Sequence, residues 1–188
     1  MNLSKLAAAM ACMTIPGAAL ATNGMNMEAY GPIALGMGGA SMAYDNGSAA
    51  MMNNPATLGL MDDNHRLDLA LGILAPDVNA SMGGSSAHSS ADMFGGPAMG
   101  WSRRHDKVTF GMGVYGQGGM GAEYGPNSFM SMGTGLTTRS ELGVGRVLLP
   151  LAYNVSPDLV VGGSIDFVWA GLDLQMAMSA PQMMGLYT

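Results

Sequence analysis

Leu67, Leu69, Leu71 and Ile73 occupy every second position of one stretch, with Asp68, Ala70 and Gly72 between them. Alternation of that period puts one set of side chains on one face of a strand and the other set on the opposite face. The pattern recurs in Val108, Phe110, Met112 and Val114, set against Thr109, Gly111, Gly113 and Tyr115. It recurs again in Leu159, Val161, Ile165, Phe167 and Trp169, with Ser164 and Asp166 pointing the other way. A further strand is predicted over about 138–154 and a weaker one over about 97–104. That makes about five strands, the stronger ones with the roughly 9–11 residues of a tilted membrane strand.

The connections alternate in length. His105-Asp106-Lys107 and Ser156-Pro157-Asp158 are tight polar turns. Residues 79–96 and 119–137 are long and rich in Gly, Ser and Met, and another long segment follows Leu174. Short turns at one end of the strands and longer loops at the other are the asymmetry of outer-membrane β-barrels. The interior of such a barrel is expected to take Asp68, Thr109, Arg139, Glu141, Ser164 and Asp166. Arg146 breaks the pattern, sharing a parity with Leu142, Val144 and Leu148. Either a bulge resets the register there or both faces of that strand are enclosed. Tyr153 and Trp169 fall near opposite membrane boundaries, where girdle aromatics belong. A soluble sandwich would instead bring Leu67, Phe110 and Phe167 together in one dry centre.

Residues 22–61 do not read as strand. Ser48 is placed to cap a short helix through Ala49-Ala50-Met51-Met52. Asn54 is placed to cap a second, with Pro55 at its first position and Gly59 ending the turn. Helices this short are unstable alone and must pack inside something; the barrel interior is the available place.

Composition narrows the class. Only 11% of the 188 residues are charged, against about 25% in a typical soluble domain, while 48% are apolar and 29 are glycine. A net charge of −6, from 7 basic and 13 acidic side chains, argues against a broad nucleic-acid surface. Lys5, the apolar run from Leu6 to Leu20 and the small-x-small site Ala19-Leu20-Ala21 read as a cleaved export signal over residues 1–21. It carries away the one cysteine, Cys12, leaving no disulfide and no thiolate ligand. No later segment has eighteen consecutive apolar residues, so the membrane would be crossed by strands.

These residues carry a family resemblance. Thr22-Asn23-Gly24, Tyr30-Gly31, Gly36-Met37-Gly38-Gly39-Ala40, Asn54-Pro55-Ala56 and Ala75-Pro76-Asp77-Val78-Asn79 stand in the order found in FadL-type outer-membrane transporters. Arg146-Val147-Leu148-Leu149-Pro150-Leu151-Ala152-Tyr153, followed by Ser156-Pro157-Asp158, also resembles that family. Thr57 departs from it, since many members have Gly after Asn-Pro-Ala. The resemblance implies a fourteen-stranded barrel with an N-terminal hatch over 22–62, followed by the first part of the barrel over 63–188. It implies passive transport of long-chain fatty acids or aromatic hydrocarbons, with lateral exit through a wall gap at a kinked third strand. It also implies an outer-membrane location among lipid, and a monomer when full length. Asn54, Pro55 and Ala56 are then the hatch motif.

The third strand is residues 107–118, and Gly116, Gly118, Gly119 and Gly121 at its end mark the gap or merely begin the second outer loop. Five strands cannot close a barrel, because single-chain bacterial barrels use even counts of at least about eight. Open edges in lipid leave backbone groups unpaired at several kcal/mol each. The expectation is a truncated or partial precursor, and an isolated chain ending at Thr188 should not fold stably in detergent.

Other chemistry is weak. Gly111-Met112-Gly113-Val114-Tyr115-Gly116 matches a dinucleotide fingerprint, but no helix is expected after it. His65, His88 and His105 lack zinc spacing. Asp62-Asp63 and Asp77-Val78-Asn79 lack a full calcium ligand set. No enzyme, cofactor or metal is indicated. The alternative is an exported β-protein for adhesion or Met-based metal binding, since the 21 methionines include Met51-Met52 and Met183-Met184. Methionine also serves as an adaptable apolar side chain for varied hydrophobic ligands.

Overall fold

The computed structural model describes residues 26–178. The export signal, Thr22-Asn23-Gly24 and Met183-Met184 lie outside the described residues. Among the described residues seven strands form: β1 (His65–Leu74), β2 (Asn79–Met82), β3 (Ser85–His88), β4 (Phe94–His105), β5 (Val108–Tyr124), β6 (Thr138–Ser156) and β7 (Leu159–Gln175). Five of them make one antiparallel sheet in the order β1-β4-β5-β6-β7, and β2 pairs with β3 as a separate hairpin. No helix among the described residues is long and apolar enough to cross a membrane, which says nothing about strands.

The turns follow from local chemistry. Asp106 adopts the left-handed conformation (φ 53°) between β4 and β5, a region that Asp tolerates better than branched residues. Gly83 and Gly84, with φ of 58° and 85°, make the two-residue loop between β2 and β3 that type I′ geometry requires. The sequence reading had this hairpin as loop, although its Gly-Gly pair was the signal.

The sheet has two unlike faces. Leu67, Phe110 and Phe167 are 61%, 41% and 63% exposed, so they form no dry centre. They share the open face with Leu69, Leu71, Met99, Trp101, Leu149, Leu151, Val161, Ile165 and Trp169, as the pairing register dictates. The other face carries the N-terminal helical segment. Its buried centre joins Ala50, Met51 and Leu58 to Tyr115, Leu148 and Ala152 of the strands. Glycines make the seat: a Cβ on Gly162 would meet the Ala56 backbone at 2.7 Å, and one on Gly113 would meet Met51 Sδ at 2.9 Å. The short helices therefore exist because a side-chain-free floor lets them bury apolar residues against the strands.

Two register findings correct the sequence reading. β6 pairs with β7 without interruption from Arg139 to Asn154, so β6 itself carries no bulge at Arg146; the bulge lies in the facing strand β5. Arg146 lies on the helix-bearing face with Leu148, beside Asp166. Arg139 and Glu141, expected inside, lie on the open face, because their positions are offset from Leu148 by an odd number of steps along the strand. Asp68, Thr109, Ser164 and Asp166 are on the helix-bearing face as expected.

The second finding concerns β5, which runs past the predicted Gly118 to Tyr124. Gly116, Gly118, Gly119 and Gly121 are thus inside a strand and do not begin the loop. A register shift between Gly116 and Gly118 makes Gln117 an extra residue against β6. One added residue inverts which parity faces inward. Tyr115 points to the helices below the bulge, while Gly118, Met120 and Ala122 take that face above it.

Candidate functional site

The site begins where the helical segment meets the wall. Asn54, in an extended conformation, caps the helix Pro55–Leu60 by accepting from the Ala56 amide at 3.2 Å. Pro55 stands at the first helical position, where its missing N–H leaves nothing unpaired. The helix is of the 3-10 type and continues through Gly59, which was expected to end it. Gly59 is instead held by the wall: its carbonyl accepts from Asn154 Nδ2 at 2.9 Å and from Arg104 Nη1 at 3.0 Å. Thr57, the departure from the family pattern, is buried and donates its hydroxyl to the Asn54 carbonyl at 2.9 Å.

Ser48 does not cap its helix. It lies inside the short turn Gly47–Ala49, buried and tied to the strands. Its amide donates to Asp68 Oδ2 at 2.6 Å, and its carbonyl accepts from the Tyr115 hydroxyl at 2.9 Å. Nearby, Arg66 grips Asp45 with two parallel bonds of 2.6 and 2.8 Å, the bidentate geometry that makes such pairs strong. The hydrogen bond from Arg66 holds the Asp45 carboxyl below the usual range, against the opposing effect of burial and with help from the Gly47 amide. A cavity of about 580 Å³ lies between these residues, Ile33 and β1, and both faces of β1 line it.

The bulge is a second junction. Pairing of β5 with β4 ends at Tyr115 and Ala98, and Phe94–Pro97 of β4 pairs with β1 alone. Pro97, one residue beyond that last pair, has no amide proton to offer a ladder. Above this point other segments take parts of the vacated edge. Asn26 bridges to Gly118, and the Met27 amide donates to the Gln117 carbonyl at 3.5 Å. The Tyr30 hydroxyl donates to the same carbonyl at 2.7 Å, and burial pushes its phenol above the ordinary value, with Arg146 opposing. Gln117 Nε2 donates to Asn26 Oδ1 at 3.1 Å, while its Oε1 accepts from Arg146 Nε at 2.9 Å. Arg146 Nη1 reaches Asp166 at 3.2 Å. Higher up, Ser90 and Glu123 pair through the backbone at 2.8 Å. Between these contacts, Gly119–Ala122 has β6 as its one strand neighbour.

Above Arg146 the helix-bearing face carries Met120, Leu142, Val144, Leu172 and Leu174, with Val168 level with Arg146 and Ser140 the polar exception near the top. At the same height the open face carries Gly143 and Gly171, then Arg139 ringed by Glu123, Glu141 and Asp173. The sequence reading missed this apolar lining, because it placed Arg139 and Glu141 inside. The signal was present in the parity of Leu142 and Val144 with Leu148. Elsewhere, Asp77, Asn79 and His88 do converge, with Asn79 Nδ2 donating to Asp77 at 2.7 Å, but all three are exposed. Among the described residues no group of three or more His, Cys, Asp or Glu is placed to hold a metal ion. The glycine fingerprint 111–116 lies wholly within β5, which runs on as strand to Tyr124, so no helix opens at the fingerprint.

A sheet that is apolar on its outward face and seats a short helical segment on the other is one side of a β-barrel. The chain belongs to the outer membrane protein transport protein family (OMPP1/FadL/TodX), whose model matches residues 8–186. It is similar to the toluene transporter TodX of P. putida, with 32% identity and a TM-score of 0.76. That match covers 86% of this chain and 41% of TodX. It is also similar to the toluene transporter TbuX of Ralstonia pickettii, at 36% identity and a TM-score of 0.71, covering 79% of this chain and 40% of that one. A Chlorobium limicola protein described as an uncharacterized protein in the phosphoenolpyruvate carboxykinase gene 5′ region is 45% identical over 87 residues, which is 44% of this chain and 42% of that protein. The chain thus spans about two fifths of the length of the relatives it matches.

Proposed function

We propose that residues 26–178 form one side of a passive outer-membrane channel for hydrophobic molecules, with lipid against the open face and the helical segment as a hatch inside. Transport would need no covalent step and no energy source. The observation that carries this reading is the pair of opposite apolar faces on β5–β7. From Tyr153 to Gly143 a strand advances about 33 Å. At the usual tilt of about 40° that is a height of about 25 Å, the apolar band of an outer-membrane barrel. Its far limit is the charged group around Arg139. Tyr153, with Trp101 packed edge-on against Phe110, marks the end near the short turns. Burial of ligand area against the inner apolar residues supplies affinity at about 25 cal/mol per Å².

Lateral exit is the reading favoured by the bulge. β4 and β5 part above Tyr115, and Gly116, Gly118, Gly119 and Gly121 place no side chain across the space between them. Asn54, Pro55 and Ala56 form the hatch turn that rests on Gly162. Domain limits of 22–62 for the hatch and 63–188 for the wall fit this seating. We take the barrel to work as a monomer. Both ligand classes suggested by the family, aromatic hydrocarbons and long-chain fatty acids, are hydrophobic enough for such a route, and the solved relatives are toluene transporters. The test is uptake of radiolabelled toluene at low external concentration by cells with and without the intact protein. Uptake should depend on the protein and saturate; equal uptake in both strains would remove the proposal.

A further inference from the structure

We infer that the open face carries a phosphate-binding site for an anionic phospholipid, built by Arg103 and His65 beside the Trp101–Phe110 aromatic pair. This rests on the membrane reading above and names the lipid class that the face selects.

The pairing register assembles the site from three strands. His65 of β1, Arg103 of β4 and Phe110 of β5 are direct partners in one row of the sheet. Trp101, on the same face one row further from the turns, has its ring 6.3 Å from that of His65 and 5.9 Å from that of Phe110, the latter edge-on. Arg103 and His65 are exposed, and Arg103 stands two residues from the end of β4. Their polar groups therefore lie at the level of the aromatics, where hydrocarbon gives way to headgroups.

A guanidinium at that boundary is costly to take out of water unless an anion meets it, and the long Arg side chain reaches toward the headgroups to find one. Its planar fork of donors fits two oxygens of a phosphate. The imidazole of His65 adds an N–H in either tautomer, and the two aromatic rings offer an apolar shelf for the upper part of the acyl chains.

The opposite boundary of the same face has the reverse charge. There Arg139 is set among Glu123, Glu141 and Asp173, one cation against three anions. Arg103 has no carboxylate within ion-pair distance among the described residues, whereas Arg66 and Arg146 on the helix-bearing face are held by Asp45 and Asp166. In the turn beyond β4, Asp106 stands next to Lys107, and Asp63 is engaged with the Asp106 amide at 3.4 Å. An anionic headgroup is thus attracted at the turn end of the face and repelled at the other.

The test reads Trp101 fluorescence in the intact protein reconstituted in phosphatidylcholine bilayers, taken as the signal lost in the Trp101→Phe variant. Phosphatidylglycerol brominated near the headgroup end of its chains is titrated into unbrominated phosphatidylcholine, and the converse mixture serves as reference. One basic side chain near an anionic lipid surface changes association about five-fold, so quenching should report a phosphatidylglycerol affinity about five times that of phosphatidylcholine. Arg103→Gln should bring that ratio to about one, and Arg103→Lys, which keeps the charge without the fork, should retain part of the preference. Equal affinities in the native protein, or a preference that survives Arg103→Gln, would overturn the inference while leaving the membrane reading in place. Absence of quenching by either brominated lipid would overturn the membrane reading, and the site with it.

Discussion

Replacing Met51 by Ala tests whether the helical segment is seated by its own contacts or carried along by the wall. Met51 is 1% exposed, with its thioether over the glycine slot of Gly111 and Gly113. Truncation removes a fully buried side chain from a floor of main chain that cannot collapse into the space. Buried Met→Ala changes cost about 2–5 kcal/mol, combining lost transfer energy and the residual cavity. A central value of about 3 kcal/mol raises the population of an unseated segment by roughly 150-fold at about 1.4 kcal/mol per decade.

Hydrogen exchange on the intact protein in outer-membrane vesicles reads this directly. Amides of residues 47–61 should lose about two decades of protection, and those of β6 and β7 should keep theirs. Equal loss across β6 and β7 would show the segment and wall to be one cooperative unit. Unchanged protection at 47–61 would show that Met51 does not seat the segment. Either result refutes the argument.

Three other outcomes are expected. The Asp45 carboxyl is held below its unfolded value of about 3.9, so the Arg66 pair stabilises fully above that value and is lost as pH falls through the lowered one. Protection of the Gly47 amide, which donates to Asp45 Oδ1 at 3.0 Å, corrected for intrinsic rates, should fall below about pH 4 in the native protein and be pH-independent in Asp45→Asn; identical profiles would contradict the pairing. Tyr30→Phe deletes the 2.7 Å bond to the Gln117 carbonyl, worth about 1 kcal/mol, and should speed exchange of residues 26–30 roughly five-fold without altering β6. A double-mutant cycle of Asn26→Ala with Gln117→Ala should give a coupling of about 0.5–1 kcal/mol in the same exchange readout, and zero coupling would mean that the side-chain contact carries nothing.

Much of the wall was legible in the sequence because strand alternation is local. The faces of Leu67–Ile73 and of Leu159–Trp169 follow from period two alone, and the short turns at Asp106 and Pro157 fix which strand ends lie together. Asn54-Pro55 gave away a helix start by its capping chemistry. What escaped was non-local. Arg139 and Glu141 look like interior residues until the pairing of β6 with β7 shows them on the opposite face from Leu148. Ser48 has the composition of a cap, yet its partners Asp68 and Tyr115 lie 20 and 67 residues away. The glycine cluster 116–121 permitted either a loop or a broken strand, and only the partners of Gln117 decide between them.

The account stands on lipid meeting the open face and not the other. Adjacent residues of β7 test it, since Phe167 and Val168 point to opposite faces and the one cysteine in the sequence is Cys12. Spin labels placed through Phe167→Cys and Val168→Cys in the intact protein, reconstituted in bilayers, report collision with dissolved oxygen against a water-soluble nickel chelate. The account predicts high oxygen and low nickel accessibility at 167 and a marked drop in the oxygen-to-nickel ratio at 168. Equal ratios at the two positions, or the reverse order, would contradict it.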